Sequence, residues 1–385
     1  MLAEPLQQVD RTYVLHRGRK LSYFGGCDYF RLASHPKVMR ALRVGAEKFG
    51  LNVAASRSTT GNHVLYGQLE SALAKFFRVD AALVFSNGYV TNYGVCQSLA
   101  GEFTHVLIDA RSHSSVSDAA RFLDCPNATF HHRDANDLAA KVRRLNSRAK
   151  LLVITDGMYS HDGSVAPLRE YLRVLPRSAM LLVDDAHGAG VLGAQGGGAI
   201  EHGGVGRQRV IQTIALSKAF GCYGGAVLCS RKLRDRIIER SRLFNGNTPL
   251  PLPFANAALA SVQLLEKHPQ WRERMNANAA WVKGALRSAG REIPDHPGPI
   301  ISITPRDGAE AKRLSTRLLK HAVFPSLIRY ADSDGHFRFM ISSEHTRAQL
   351  NAMVAALNSD RAPLSVHSLG DATAKRSLSV LPKQA

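Results

Sequence analysis

Short apolar segments alternate with helix-like segments through the middle of the chain. Runs such as AALVFS, HVLID, LLVITD and VIQTIAL are rich in β-branched residues, and most are followed by a stretch with helical spacing of its apolar positions. This alternation predicts an α/β fold with a mostly parallel central sheet covered by helices. Ligands of such sheets bind beyond the carboxyl ends of the strands. We therefore expect the functional site at that edge.

The pattern changes toward both ends of the chain. We predict an N-terminal arm over residues 1–50, a large domain over 51–275 and a smaller C-terminal α/β domain over 276–360. Within this scheme, Pro269 is expected to separate two long helices. The last segment, 361–385, is polar, basic and aperiodic, and is expected to be a disordered tail.

Charge is the unusual part of the composition. The chain has 50 Lys and Arg against 31 Asp and Glu, a formal net charge of +19. The basic residues are interleaved with acidic ones and form no nucleic-acid-binding motif, so we expect no nucleic-acid partner. A solvated basic surface is one interpretation. A surface that attracts an anionic partner, such as coenzyme A or an acidic carrier protein, is the other.

Other sequence features limit the class of protein. No apolar run reaches the length that spans a bilayer, and no signal peptide is visible. The five cysteines are scattered without zinc-site spacing, so we expect neither a disulfide frame nor a metal site. These features favour a reduced, cytoplasmic setting and no membrane span.

Lys218, Asp184 and His187 carry the strongest chemical signal. Lys218 follows the apolar run VIQTIAL, and a lysine at a sheet edge can form a Schiff base with a carbonyl cofactor. Asp184 and Asp185 end the buried run before it, in VDDAHG, where a carboxylate needs a cationic partner such as a protonated pyridine nitrogen. His187 lies close enough in sequence to reach the same ligand. Each signal alone is weak, but their combination is specific.

Weaker candidates follow three other strands. Asn87, Gly88 and Tyr89 open a helix, and a glycine at a helix N-terminus lets the backbone approach a phosphate. His113 lies past another strand end and could stack on a cofactor ring, although a helix-capping role is the ordinary alternative. Ser160 could donate to a cofactor phenolate, and a plain turn serine is its alternative.

These motifs resemble those of the α-oxoamine synthases, a family of fold type I pyridoxal 5′-phosphate (PLP) enzymes. The resemblance runs from about residue 18 to residue 358. It rests on an ordered series of motifs: DYFRLASHP, TTGNHVLYGQLE, SNGYVTN, DARSHSSV, TDGMYSHDGSVAPL, VDDAHGAGVLG, LSKAFGCYGGAVL and FRFMISSEHT.

The resemblance implies a role for each matching position. Lys218 corresponds to the Schiff-base lysine and catalytic base, Asp184 to the acid on the pyridine nitrogen, and His187 to the histidine on the phenolic oxygen. The other implied contacts are the ring-stacking and catalytic His113, the phenolate-side Ser160, the phosphate- and ring-side Asn87, Gly88, Tyr89 and Ser217, and the substrate-side Arg338 and Cys27. Arg338 is expected to bind the amino-acid carboxylate. The family also implies a homodimer.

The chain departs from the family pattern near the substrate. Cys27 stands where the family usually has asparagine, and Arg31 where it has glycine. Ala215 replaces the usual threonine, so that Ser217 or Thr213 is expected to take over its phosphate contact. Asp156 replaces a glutamate. These changes leave the implied cofactor intact and the substrate pair open.

The expected reaction is decarboxylating condensation of a small amino acid with an acyl thioester, from coenzyme A or a carrier protein, to an α-amino ketone. An 8-amino-7-oxononanoate synthase-like activity is the leading expectation. A secondary-metabolite or sphingolipid-type α-oxoamine synthase, a PLP-dependent aminotransferase and a non-catalytic subunit are the alternatives.

Overall fold

The computed structural model describes residues 4–329 and 335–358. The strands, in chain order, are β1 (Gln7–Gln8), β2 (Tyr13–His16), β3 (Arg19–Ser22), β4 (Ala81–Phe85), β5 (His105–Asp109), β6 (Asn127–Phe130), β7 (Leu151–Asp156), β8 (Met180–Asp184), β9 (Val210–Ala215), β10 (Gly225–Cys229), β11 (Ile300–Ile303), β12 (Leu327–Ile328) and β13 (His336–Met340).

The α-helices lie between and after these strands. They are α1 (Pro36–Phe49), α2 (Val64–Phe77), α3 (Gly88–Ser98), α4 (Ser114–Ala119), α5 (Ala135–Arg143), α6 (Leu168–Val174), α7 (Ala199–His202), α8 (Arg231–Arg240), α9 (Arg242–Asn245), α10 (Leu252–Lys267), α11 (Gln270–Ser288), α12 (Gly308–Lys320) and α13 (Arg347–Asn358). The gap between α10 and α11 contains Pro269, so the predicted helix boundary is confirmed. The tail predicted at 361–385 lies outside the described residues.

A seven-stranded sheet forms the centre of the fold, in the order β4-β10-β9-β8-β7-β5-β6. The neighbouring pairs from β9 to β6 are parallel, and β10 is antiparallel to both β9 and β4. The nine residues between β9 and β10 contain no helix, and the two strands pair antiparallel as neighbours in the sheet. The predicted mostly parallel α/β sheet is confirmed.

Successive residues of the central strands enter two different hydrophobic clusters. Leu151 and Val153 of β7 lie in one cluster, whereas Leu152 and Ile154 lie in the other. Because side chains alternate along a strand, the two clusters lie on opposite faces of the sheet. Burial on both faces explains why the central strands read as continuous apolar runs.

A second, three-stranded sheet, in the order β11-β13-β12, has its own hydrophobic cluster with α11, α12 and α13. The division that we predicted between residues 275 and 276 falls inside α11, whose later residues Ala279, Val282 and Leu286 belong to this second cluster. The N-terminal segment also joins this unit, because the Ser22 N–H donates to the Ala322 carbonyl oxygen at 2.7 Å. Within the described residues, no helix is long and apolar enough to cross a membrane.

Candidate active site

The carboxyl ends of the parallel strands bring the predicted polar residues together. Asp156 ends β7 and is paired in register with Asp184, which ends β8. Asp184 is in turn paired with Thr213 of β9, and Lys218 lies in the turn just beyond that strand. All of these strands are parallel, so their ends meet at one edge of the sheet.

Asp184 is held by three hydrogen-bond donors. Its Oδ2 accepts from Nδ2 of Asn92 at 2.7 Å and from the Ser115 hydroxyl at 3.3 Å, and its Oδ1 accepts from the Ala186 N–H at 3.1 Å. Asn92 is itself oriented, because its Oδ1 accepts from the Thr213 hydroxyl at 2.6 Å. Because donors reach both of its oxygens, the Asp184 carboxyl is held in one orientation at the edge of the sheet.

Asp185 takes part in a different set of contacts. Its Oδ2 accepts from the Ala199 N–H at 2.8 Å and from Nε2 of Gln212 at 2.7 Å. A Cβ on either Gly157 or Gly188 would overlap its Oδ1. Complete burial raises the pKa of Asp185 to about 7. The two neighbouring aspartates therefore divide their roles, with Asp185 linking β9 to the start of α7 and Asp184 at the site.

Asp156 lies beside Asp184 and is buried. Burial, together with the neighbouring charge of Asp184, raises the pKa of Asp156 well above its ordinary value. Its Oδ1 accepts from the backbone N–H of His113 at 2.9 Å. Two adjacent carboxyls in a buried site rarely ionise together, and the raised pKa favours the neutral form of Asp156.

His187 and His113 lie in the same charged environment. Burial, followed by the positive charges of Lys218, Arg338 and His113, lowers the pKa of His187 well below its usual value, so its ring is neutral. Nδ1 of His187 lies 2.8 Å from the Tyr29 hydroxyl. His113 caps α4, with its Nδ1 accepting from the Ser115 N–H at 3.2 Å. His113 therefore caps a helix and also lies next to Asp156 at the edge of the sheet.

Comparison with known proteins decides the family. The model of the family described as aminotransferase class I and II matches residues 27–357. The chain belongs to the aminotransferase class I and II family. It is 37% identical over 346 residues to the 8-amino-7-oxononanoate synthase of Thioalkalivibrio sulfidiphilus, covering 89% of this chain and 88% of the relative. The corresponding enzyme of Trichlorobacter lovleyi is 33% identical over 364 residues, with 92% and 93% of the two chains covered.

Solved structures of this family have the same fold. Serine palmitoyltransferase from S. paucimobilis, with PLP and myriocin bound, superposes with a TM-score of 0.86 at 28% identity, covering 91% of this chain and 90% of that chain. The 8-amino-7-oxononanoate synthase of Francisella tularensis gives a TM-score of 0.76 at 25% identity, with 88% and 97% covered. The resemblance drawn from the motifs, and the fold type I architecture that it implied, are confirmed.

The residues predicted to lie beside a cofactor phosphate form the start of α3. Asn87 caps this helix, because its Oδ1 accepts from the Val90 N–H at 2.9 Å. A Cβ added to Gly88 would lie 2.9 Å from Cβ of Ala215, so the helix start approaches the end of β9 closely. Tyr89 is directed differently, since its exposed ring stacks on Tyr93 with the ring centroids 5.2 Å apart.

The remaining predicted residues lie around this centre. Arg338 is on β13 of the second sheet, and its Nη1 donates to the Ser160 backbone oxygen at 2.9 Å. Cys27 is partly buried and packs against the hydrophobic cluster that contains Tyr29. Ser217 is exposed in the turn after β9, and Lys218 is partly exposed there. Thr213, considered with Ser217 for the phosphate contact, instead donates its hydroxyl hydrogen to Asn92.

Arg31 keeps the backbone geometry expected of the family's glycine. Its φ of 54° and ψ of 38° are left-handed, a conformation that glycine adopts without strain. The buried side chain instead donates from Nη2 to the Tyr23 carbonyl oxygen at 3.0 Å and from Nη1 to that of Gly25 at 3.4 Å. These bonds offset the backbone cost of the substitution.

Sequence reasoning did not identify three residues that the structure places at this site. They are Tyr29, Asn92 and Ser115, which were considered only as parts of longer motifs. Their signal was a polar residue at a position that helix or strand periodicity predicts to be buried. In the part of the chain that the structure describes, no cluster of three or more His, Cys, Asp or Glu could hold a metal ion.

Proposed function

We propose that this chain is a PLP-dependent α-oxoamine synthase of the 8-amino-7-oxononanoate synthase type. It condenses a small amino acid with an acyl thioester, releases carbon dioxide and free thiol, and forms an α-amino ketone. One observation carries the proposal: a carboxylate fixed by Asn92 and Ser115 lies at the strand edge beside the turn that presents Lys218. Curated relatives with that activity, aligned over about nine-tenths of the chain, support the choice of reaction.

The residues at this edge fit PLP. The Asp184 carboxylate offers the acceptor that a protonated pyridine nitrogen needs. The N-terminus of α3, which begins at Gly88, offers backbone N–H groups to a phosphate. When bound, PLP supplies an electron sink that stabilises negative charge on the substrate α-carbon.

Each residue then has a definite task. Lys218 would hold the cofactor through its amine, and its free amine would accept the α-proton of the substrate. Asp184 keeps the ring nitrogen protonated, and Asp156 keeps His113 in place through the backbone N–H. Arg338 binds the substrate carboxylate with its planar guanidinium. His113 donates a hydrogen bond to the acyl carbonyl oxygen.

The proposal includes a homodimer and an anionic acyl donor. Leu51 and Val64 lie beside α1 and at the start of α2, and they are 73% and 63% exposed. A partner subunit packed against this part of the surface would remove both side chains from water. The net charge of +19 would attract coenzyme A or an acidic carrier protein. Added salt should then raise the KM for the thioester more than the KM for the amino acid.

The first test concerns the lysine. Borohydride reduction of the holoprotein followed by peptide mass spectrometry should place the cofactor on Lys218. Lys218→Ala should give no labelled peptide and no turnover, whereas Lys75→Ala, at an exposed lysine, should behave as wild type. A label on any other lysine would contradict the assignment.

The second test names the reaction. Glycine, L-alanine and L-serine are each incubated with an acyl-CoA while free thiol, carbon dioxide and the amino ketone are quantified. Equal amounts of all three products with one amino acid are the expected result. Formation of a 2-oxo acid without any thioester would instead identify an aminotransferase, the alternative kept from the sequence.

A further inference from the structure

Tyr29 and His187 form a buried contact between distant parts of the chain. They are 158 residues apart in sequence, and the Tyr29 hydroxyl lies 2.8 Å from Nδ1 of His187. Tyr29 is 1% exposed and His187 is 8% exposed. The Tyr29 segment is fixed by Asp28, whose carboxylate accepts from the Leu32 N–H at 2.8 Å and the Ala33 N–H at 2.9 Å. The contact therefore joins two rigid elements.

The direction of this hydrogen bond follows from the chemistry of the two groups. A neutral imidazole has one N–H donor and one nitrogen acceptor, and a tyrosine hydroxyl has a single hydrogen to donate. Burial raises the pKa of Tyr29 well above its ordinary value, so the hydroxyl keeps that hydrogen. Imidazole nitrogen is a stronger base than phenolic oxygen. The favoured arrangement is O–H of Tyr29 donating to Nδ1 of His187.

Cys27 offers only a weak alternative partner for the Tyr29 hydrogen. Its side chain packs against the cluster that contains Tyr29, and a thiol is a weak acceptor and a weak donor. The asparagine that the family usually has here would offer a carboxamide oxygen as a strong competing acceptor for the Tyr29 hydrogen. With cysteine at position 27, that hydrogen is directed to His187.

We propose that Tyr29 is a positioning residue that fixes the tautomer of His187. With Nδ1 accepting from Tyr29, the hydrogen of the imidazole is on Nε2, which makes Nε2 a donor. An anionic oxygen is the acceptor that such a donor favours, and the phenolic oxygen of the cofactor is that acceptor. This inference rests on the proposed function, because it assigns a cause to the hydrogen bond expected of His187.

The tautomer is measured by long-range ¹H–¹⁵N NMR on histidine-labelled holoprotein. His187→Gln identifies the His187 signals by their loss. Wild type should show an unprotonated, hydrogen-bonded Nδ1 and a protonated Nε2. Tyr29→Phe should give a mixture of tautomers, a shifted visible band of the bound cofactor, and about a tenfold lower kcat, the loss expected from one hydrogen bond.

Tyr66→Phe is the matched control. Tyr66 is also fully buried, and its hydroxyl donates to the Leu250 carbonyl oxygen at 2.7 Å, far along the chain from His187. It should lower the melting temperature without moving the His187 signals or the cofactor band. Cys27→Asn is the complementary variant, and it should draw the Tyr29 hydrogen away and raise the proportion of the Nδ1–H tautomer.

A protonated Nδ1 of His187 in the wild type would overturn the inference. A Tyr29→Phe protein with the wild-type tautomer and the wild-type cofactor absorbance band would also overturn it.

Failure of the proposed function would give a different result. A protein that takes up no PLP would have no visible band at all, while the NMR signals of His187 in that sample would still show which group donates.

Discussion

Loss of the buried ion pair between Arg57 and Glu70 should strongly lower the stability of the fold around the large sheet. The side chains are 9% and 10% exposed, and Nη2 of Arg57 donates to Oε2 of Glu70 at 3.2 Å while Nη1 contacts Oε1. Oε1 also accepts from the Val84 N–H of β4 at 3.0 Å. Glu70 thus connects α2 to the strand that leads to Asn87 and Gly88.

Glu70→Ala leaves a buried guanidinium and a buried N–H without their acceptor. Breaking a buried pair by removing one partner costs about 3–5 kcal/mol. For a chain of 385 residues, the entropy of unfolding is about 0.8 kcal/mol per kelvin, so the melting temperature should fall by about 4–6 °C.

The assay is scanning calorimetry at saturating cofactor, supported by urea unfolding. Glu266→Ala is the matched control. Glu266 of α10 forms a solvent-exposed ion pair, at 2.8 Å, with Lys75 of α2, the helix that also carries Glu70. That variant should lose at most about 1 kcal/mol. Replacing both members of the buried pair, in Arg57→Met with Glu70→Leu, should restore part of the loss. Equal melting temperatures for Glu70→Ala and Glu266→Ala would refute the reasoning.

Three further predictions test the surroundings of the site. Burial lowers the pKa of His345 from 6.5 to about 3, so between these pH values unfolding takes up a proton. The free energy of unfolding of the wild type should therefore decrease as the pH is lowered, by at most about 1.4 kcal/mol per pH unit. His345→Gln should make this decrease smaller in urea titrations, and an unchanged slope would count against the prediction. Gly188→Ala should cost about 3 kcal/mol or more because its methyl meets Asp185, whereas Gly284→Ala, in open space on α11, should gain about 0.5–1 kcal/mol in the same unfolding assay. Arg31→Gly should lose about 1 kcal/mol by urea unfolding, since two hydrogen bonds outweigh the relieved backbone strain, and a more stable variant would contradict this balance.

Much of the fold could be predicted from local patterns. The strands β5, β7 and β9 were visible because both faces of the central sheet are buried, which leaves short uninterrupted apolar runs. Their parallel arrangement followed from the helices between them. The reversal at β10 was not predicted, because it depends on a turn whose two ends pair directly.

The site was only partly predictable from the sequence. Lys218, Asp184 and His187 could be chosen because each directly follows or ends an apolar strand. The residues that orient them could not, because Asn92 and Ser115 lie on helices whose position relative to β8 no local pattern determines.

The sequence by itself determined which strand ends carry polar groups, and hence the edge of the sheet where chemistry occurs. Only the tertiary structure decided what those groups can do. It turned Asp184 toward Asn92 and Ser115 and Asp185 toward α7, although the two are neighbours in the chain. Side-chain alternation along a strand sends neighbours to opposite faces, but hydrogen-bond donors from distant segments decide which face becomes the site.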